Sequence, residues 1–554
     1  MSTTTAPRLS LPESSSPRSR QATLSGTGTL LRFMLRRDRL RLTLWVVGIG
    51  LMGFYFANAI QVIAEDESEL VQLAGMFTDP VGRLMTGPAF GMDEPTFERF
   101  FSAGYVLFLY IMVALMSVFT VVRHTRAEEQ TGRAELVRAN VVGRHATLTS
   151  ALILTAAAVL GSNVLVVLGA LAAGYDPAGS VLVGATGVGG GLFFTGAAAV
   201  SAQLSESSRG SSAMAGGLIG LSYLIRMGGD MAEAGGSALS WFSPLGWSQQ
   251  TAPYVLDRWW PVLLLAAGAA VLIWLGIWLS TKRDVEASLM PARLGRGRAK
   301  RSLGTPMGMA ARMLKGGLRG WGIALVLCGL MFGSYAQALV DAADDLPEEF
   351  AMIFSGESMM LGYLAYMGLF MAIFVAAAGV SALQQLRGEE TRGRAELALS
   401  APISRTAWLG AHLGVLLAGL VLILLLVGVA MGAAASAVLE ENRGSYFGDL
   451  VVASIHQLPA VLAVLGVVVA LFGWLPRAAG IIGWLIIGYA AVMTNFGQLL
   501  ELPDVFYELN VFGHLAQYPV EDLAWAPVLV LSGIGVAGLA VGLLGFSRRE
   551  INRV

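Results

Sequence analysis

Apolar runs of about 20 residues, the length that crosses a bilayer's hydrocarbon core as a helix, recur along the chain. They lie near 42–63, 100–122, 147–172, 181–204, 212–229 and 259–281, and a second set of six follows near 321–340, 358–384, 407–437, 449–473, 479–496 and 525–546. This pattern predicts an all-α polytopic membrane protein with twelve transmembrane helices. The polar segments between the runs alternate in character. Arg32, Arg36, Arg37, Arg39 and Arg41 precede the first run, Arg123 to Arg144 follow the second, and the segment 282–320 carries ten Lys and Arg. The intervening loops are acidic: Glu65, Asp66, Glu67 and Glu69, then Asp341, Asp344, Asp345, Glu348 and Glu349, then Glu501, Asp504, Glu508, Glu521 and Asp522. Basic loops stay in the cytoplasm, so both termini are expected there.

The second set of runs repeats the first. Placing Met34-Leu35 over Met313-Leu314, an offset of 279, sets GLMGFYFANA over GLMFGSYAQA. A basic, apolar start ending in ANA resembles a cleavable signal peptide, but a mid-chain copy of the same stretch argues that the first span is retained. Further on, RAEEQTGRAELVRA at Arg126 meets RGEETRGRAELALS at Arg387, an offset of 261. Arg144 then falls on Arg405, Arg209 on Arg477, and Lys282-Arg283-Asp284 on Arg548-Arg549-Glu550. Six spans per half, in one orientation, describe two parallel repeats about an axis along the membrane normal, a dimer fused into one chain. The expected organisation is a disordered Ser/Thr/Pro-rich tail over 1–28, a six-span repeat over 29–281, a cytoplasmic linker over 282–311 and a second repeat over 312–554.

Composition agrees with the pattern: 55% of the 554 residues are hydrophobic and 14% charged, far from an ordinary soluble domain. A net charge of −1 argues against nucleic acid as a partner, and the one cysteine, Cys328, leaves no intrachain disulfide or cysteine-based metal site. No metal site is expected from the scattered histidines His124, His145, His412, His456 and His514 either, and no catalytic residue is assigned. No G-x-x-x-x-G-K-[ST] occurs, so the chain lacks a phosphate-cradling loop of its own. The glycine-rich GATGVGGG at 184–191 sits in an apolar run, where small residues serve helix packing.

The charged motif is the candidate site. It lies on the predicted cytoplasmic side between the second and third spans of each half. About twenty residues stand there, although a bare turn needs only a few. Gly132 can break the helix leaving the membrane, and RAELVRA has the composition of a short helix. A solvated loop obeying the positive-inside rule explains one copy. Near-identity of two copies, with acids among the arginines, favours a docking element for a soluble partner. The candidate coupling residues are Arg126, Glu128, Glu129, Gly132, Arg133 and Glu135, with Arg387, Glu389, Glu390, Gly393, Arg394 and Glu396 in the second copy.

The pattern Glu-Glu-x-x-Gly-x-x-Glu-Leu, followed by Pro402-Ile403-Ser404-Arg405 and a new span, resembles the signature of ATP-binding-cassette export permeases of the six-span, ABCG-like type. In that family this loop forms the coupling helix, which seats on the ATPase subunit. The first half departs from it, with Val141-Val142-Gly143-Arg144 in place of the proline turn. The fused form is similar to actinobacterial exporters of polyketide antibiotics, a subgroup associated with drug efflux. The resemblance implies two copies of a separate ATPase, one per motif. It also implies ATP and magnesium bound by that partner with no cofactor on this chain, a bacterial plasma-membrane location, and a path between the halves lined by their second and fifth spans. It further implies an interfacial elbow helix before the first span of each half, where TLLRFMLRRDRLRLTLW and AARMLKGGLRGWGIAL stand. Short external helices are implied in the aromatic, proline-broken stretches between the fifth and sixth spans.

Charge-poor spans suit hydrophobic or amphipathic cargo, antibiotic-like or lipid. The competing reading is a secondary multidrug transporter driven by an ion gradient, which ordinarily needs ionisable groups at membrane depth. Asp449 stands at the first position of the tenth run; inside the runs only Arg226, His412 and His456 break the apolar pattern. Arg226, with Asp230 one turn on, is expected to pair locally or snorkel, and His412 to serve packing. His456, three residues before Pro459 and its predicted kink, is kept with Arg226 as a candidate pathway or gate residue.

Overall fold

A computed structural model describes residues 23–63, 67–78, 80–140, 142–283, 288–290, 297–334, 336–337, 359–439, 443–497 and 503–550. The first 22 residues of the expected tail, much of the linker and the acidic segment 341–349 lie outside the described residues. The chain divides into two compact units, Met1–Arg293 and Leu294–Val554, and among the described residues the secondary structure is entirely helical.

In the first unit six long helices follow in order: α1 (Thr27–Ile63), α2 (Val106–His124), α3 (Ala146–Ala172), α4 (Pro177–Leu204), α5 (Ser208–Ala232) and α6 (Trp260–Ser280). Helix α1 packs along α3, and α4 packs on α6, α2 and α3. The second unit repeats the scheme. It comprises α7 (Pro306–Ser334), α8 (Met359–Thr391), α9 (Arg405–Val438), α10, α11 (Pro476–Phe496) and α12 (Trp525–Arg548), where α10 runs Arg443–His456 and resumes as Leu458–Trp474. Here α7 packs along α9 and α10 on α12, the counterparts of α1 on α3 and α4 on α6. Helices α10 and α12 meet at Gly466, Gly473, Gly535 and Gly542, where an added Cβ would strike the facing backbone. This close approach is the usual basis of helix association in lipid.

Eleven of the described helices are long and apolar enough to cross a membrane. Their large exposed side chains, such as Leu51, Leu263, Trp274, Leu529 and Val536, are apolar because lipid rather than water faces them. The expected twelfth, over 212–229, forms as α5, but α5 is not among the eleven. Its 25 residues are long enough; buried Ser211, Ser222, Arg226 and Asp230 lower its hydropathy. The structure corrects the expected elbow helices. The basic stretches continue without a break into α1 and α7, and at about 1.5 Å per residue the 37-residue α1 far exceeds a hydrocarbon core of about 30 Å. Between α5 and α6 stand a 3-10 turn (Ala238–Phe242) and a short helix (Pro244–Gln249), and between α11 and α12 the matching pair Asp504–Glu508 and Val511–His514.

Candidate functional site

Both copies of the motif fold around a left-handed glycine. After α2 ends at His124, Thr125 (φ −119°, ψ −87°) breaks the helix, Arg126–Gln130 make one short turn, and Gly132 at φ 70° redirects the chain into a helix over Arg133–Arg138. In the second unit α8 runs unbroken to Thr391, and Gly393 at φ 69° leads into a helix over Arg394–Leu399. Nothing stands within 4 Å of a Cβ added at either glycine, so conformation alone requires glycine. Replacing Gly132 or Gly393 with alanine should cost about 1 kcal/mol and asparagine less; thermal denaturation of the two variants beside wild type checks this order.

The second glutamate of each motif points inward. Glu129 accepts from Arg126 Nη1 (2.7 Å) and from Arg283 Nη1 (3.0 Å) and Nη2 (2.7 Å). Arg126 also donates its Nε to Ala202 O (2.6 Å), and Arg283 its Nε to Gln203 Oε1 (2.6 Å), both at the end of α4. Arg126 is 1% exposed, so this is a buried two-cation, one-anion node. In the second unit Glu390 accepts from Arg549 Nη2 at 2.5 Å. Since Arg549 lies where the repeat places Arg283, each half ties its motif to the residue just past its sixth long helix. Arg549 differs in having no acceptor for its Nε; its guanidinium lies over Phe472 and Phe546, 5.3 Å from each ring.

A second tie is also duplicated. Arg144 Nη2 donates to Thr281 O (2.7 Å), and Arg405 Nη1 to Arg549 O (2.5 Å) and Ser547 O (3.5 Å). In both halves a cation at the start of the third long helix meets the carbonyl end of the sixth, where the helix dipole favours it. The departure of the first half from the proline turn appears as a missing cap. Ser404 caps α9 by accepting from Ala407 N, whereas α3 has no side-chain cap; instead Gly143 N and His145 N donate to the carbonyls of Ser25 and Thr23. Burial and the adjacent Arg144 guanidinium hold the His145 imidazole below its ordinary range, neutral at physiological pH.

The first glutamates differ between halves. Glu128 accepts from Arg37 of α1 at 2.5 Å, with Arg133 at 3.9 Å, and next to it Asp38 accepts from Arg123 Nε and Nη2 (2.5 and 2.7 Å), with His124 Nε2 at 3.0 Å. Glu389 pairs with Arg394 at 2.5 Å, and Arg387 donates to Arg477 O at 3.2 Å. What remains exposed is the face beyond the glycine: Arg133, Glu135 and Leu136 in one copy, Arg394 and Leu397 in the other, with Glu396 half-buried beside them. Leu136 and Leu397 are 73% and 75% exposed on otherwise well-anchored turns. Among the charged residues singled out in the sequence, Arg126 and Glu129 are therefore internal braces. The exposed leucines had a signal, their identity in both copies; Arg37 and Asp38 had none beyond a generally basic helix.

Arg226 and His456 lie in different units. Arg226 neither snorkels nor rests on Asp230 alone: it is fully buried. Its Nη1 reaches Asp230 Oδ2 (3.3 Å), Gln249 Oε1 (3.4 Å) and Arg83 O (3.4 Å), its Nη2 reaches Met85 O (3.3 Å), and its guanidinium stands 4.6 Å over Tyr223. Asp230 Oδ1 accepts from Ser240 Oγ at 2.6 Å. Helix α5, the Pro80–Thr86 turn and the Pro244–Gln249 helix are thereby joined. Close by, Ala89, Ala252, Tyr254 and Asp257 hold left-handed backbone, and Pro88, Ala89, Phe90, Tyr110, Gln249 and Ala252 bound a small open cleft. His456 ends the first segment of α10, with Gln457 at the break and Pro459 just after it. His412 Nδ1 donates to Trp408 O (2.8 Å), and its ring packs on the Trp408 indole. Among the described residues no group of His, Cys, Asp and Glu could hold a metal ion.

The comparison with known proteins matches this duplicated architecture. A family model described as the C-terminal domain of the multidrug efflux system permease Rv1217c matches residues 28–279 and 303–547, one segment in each compact unit. The chain is also similar to the multidrug efflux system permease protein Rv1217c of Mycobacterium tuberculosis (strain ATCC 25618 / H37Rv), 36% identical over 532 residues that make up 95% of each protein. The chain therefore belongs to the Rv1217c family of multidrug efflux system permeases, multi-pass membrane proteins.

Proposed function

We propose that the chain is the permease subunit of an ATP-driven exporter of the ABCG-like type, a twelve-span fused dimer in the bacterial plasma membrane with both termini in the cytoplasm. It moves hydrophobic or amphipathic compounds out of the cell. Two copies of a separate ATPase subunit, which hold the ATP and magnesium, engage it at the two charged motifs. The observation that carries this reading is the duplicated build of those motifs. Each anchors its inner glutamate to the end of the sixth helix and turns a bare leucine, flanked by charge, away from its own unit. The same leucine stands exposed at the same position of both copies, flanked by charge on a braced turn, as a docking contact used twice would require. Arg133, Glu135, Arg394 and Glu396 flank that contact, while Arg126, Glu128, Glu129, Arg387, Glu389 and Glu390 hold the turn in place. The name of the Mycobacterium relative and the uncharged long faces of the helices support drug-like cargo.

A second reading, exchange against protons or sodium, draws on the buried Arg226–Asp230 pair. Inverted membrane vesicles separate the two. Under the first reading, accumulation of a lipophilic dye continues in a protonophore while ATP is supplied and stops with a non-hydrolysable nucleotide. Leu136→Asp with Leu397→Asp should abolish co-purification of the ATPase while the permease still inserts. Loss of transport in the protonophore, with indifference to the nucleotide, establishes the second reading instead.

A further inference from the structure

Placed over one another, the two motifs differ in what holds them. In the first unit α1 supplies two charges around the end of α2: Arg37 to Glu128, just past the break at Thr125, and Asp38 to Arg123, beside His124. The repeat offsets put Gly316 and Gly317 of α7 where Arg37 and Asp38 stand, and Gln384 and Gln385 where Arg123 and His124 stand. The register is real in space: Gln385 Nε2 donates to Met313 O at 3.0 Å, and a Cβ on Gly317 would lie 3.8 Å from Gln385 Oε1. A neutral hydrogen bond thus replaces an ionic cluster. Glu389 turns to Arg394 of its own motif, a pair that ties the motif to itself. Gln130 Oε1 likewise receives Ser208 N and Oγ at the start of α5 (3.1 and 2.7 Å), whereas Thr391 in its place bonds Gly388 O of its own helix. The connection to the membrane helix differs in the opposite sense, since the first motif is separated from α2 by the break at Thr125, and the second is continuous with the 33-residue α8.

We propose that the two motifs are mechanically unequal: Arg37 and Asp38 are positioning residues that pin the first motif to α1, and the second motif, which has no such charged tie to α7 among the described residues and is rigidly joined to α8, carries the stroke. A displacement at Arg394–Leu399 is delivered directly into α8, because a helix transmits axial movement as a rod and a break absorbs it. A displacement at Arg133–Arg138 meets the charge cluster on α1 and the Thr125 break, and is damped. The inequality of posture stands on the permease alone; its meaning for coupling rests on the docking reading above.

Hydrogen exchange on the full-length permease in nanodiscs tests the first part. Amides of 133–139 should exchange about tenfold more slowly than those of 394–400, the effect expected of two charge pairs of which one is largely buried. Arg37→Ala with Asp38→Ala should erase that difference, and Arg37→Lys should keep most of it. Gly316→Arg with Gly317→Asp should slow the second motif; a Cβ at 316 meets nothing within 4 Å, and the repeat's register places Glu389 as the partner of the new arginine. Equal exchange of the two motifs in wild type, or a difference indifferent to these substitutions, overturns the proposal. With the ATPase and a non-hydrolysable nucleotide added, protection should change several-fold more at 394–400, and Leu397→Asp should reduce ATP-dependent transport more than Leu136→Asp. Binding that alters both motifs alike refutes the unequal stroke. If the ATPase does not bind at all, the docking reading fails while the exchange contrast still decides the pinning.

Discussion

Replacing Glu129 with alanine is expected to destabilise the first unit by about 3–5 kcal/mol, the range measured when one member of a buried ion network is removed. The change deletes the one carboxylate between two buried guanidinium groups, Arg126 and Arg283, and with it three hydrogen bonds of 2.7–3.0 Å. Two largely desolvated cations then face each other without the carboxylate that bridged them, and their repulsion adds to the lost bonds. The equivalent change, Glu390→Ala, should cost only about 1–2 kcal/mol, because Arg549 gives up a single charge-assisted bond and keeps its place over Phe472 and Phe546. Removing a cation as well should repair the first case: Glu129→Ala with Arg283→Leu leaves Arg126 bonded to Ala202 O and should recover at least half the loss, a coupling that independent sites would not show. Denaturation midpoints of the three variants in one detergent decide the matter, and equal costs for Glu129→Ala and Glu390→Ala would contradict the assigned networks.

The helices were legible because lipid imposes length and apolarity on any segment that crosses it, and α3, α6, α9 and α12 have little else in their composition. Helix α5 was read by the same rule and formed, yet its polar residues face the interior of the unit, and hydropathy cannot tell a polar residue turned inward from one that prevents crossing. The repeat was legible as residue identities, and it set Glu129 over Glu390 and Arg283 over Arg549. That each glutamate meets its arginine was not legible, since they are 154 and 159 positions apart and only the packing of the second, fourth and sixth helices brings them together. Exposure within the motif was hidden for the same reason. Arg126 and Arg133 look alike in the sequence, but one lies against α4 and the other beyond Gly132. Arg37 and Asp38 read as part of a basic helix face; their importance comes from what Gly316 and Gly317 lack.

Arg226→Ala should be the most damaging single change at the other end of the first unit, costing about 3 kcal/mol or more. Its hydrogen bonds to Asp230, Gln249 and the carbonyls of Arg83 and Met85 are all long, at 3.3–3.4 Å, so none of these four dominates. The cost comes from the burial of what is left behind: Asp230, 1% exposed, would keep Ser240 Oγ as a donor and lose its cation, and the carbonyls of Arg83 and Met85 would lose theirs. Neutralising both members should be much milder, because Asp230→Asn can still accept from Ser240 while Arg226→Leu refills part of the volume. The single variant should show a lowered denaturation midpoint and new proteolytic cleavage near 233–237, where the chain leaves α5 for the segments the pair holds; the double variant should lack both. The same double variant bears on energy coupling. A pump that cycled a proton or sodium ion through Asp230 would lose transport in it while staying folded. A permease driven by ATP from a separate subunit has no need of that carboxylate's charge, so dye accumulation by the double variant should remain within about twofold of wild type.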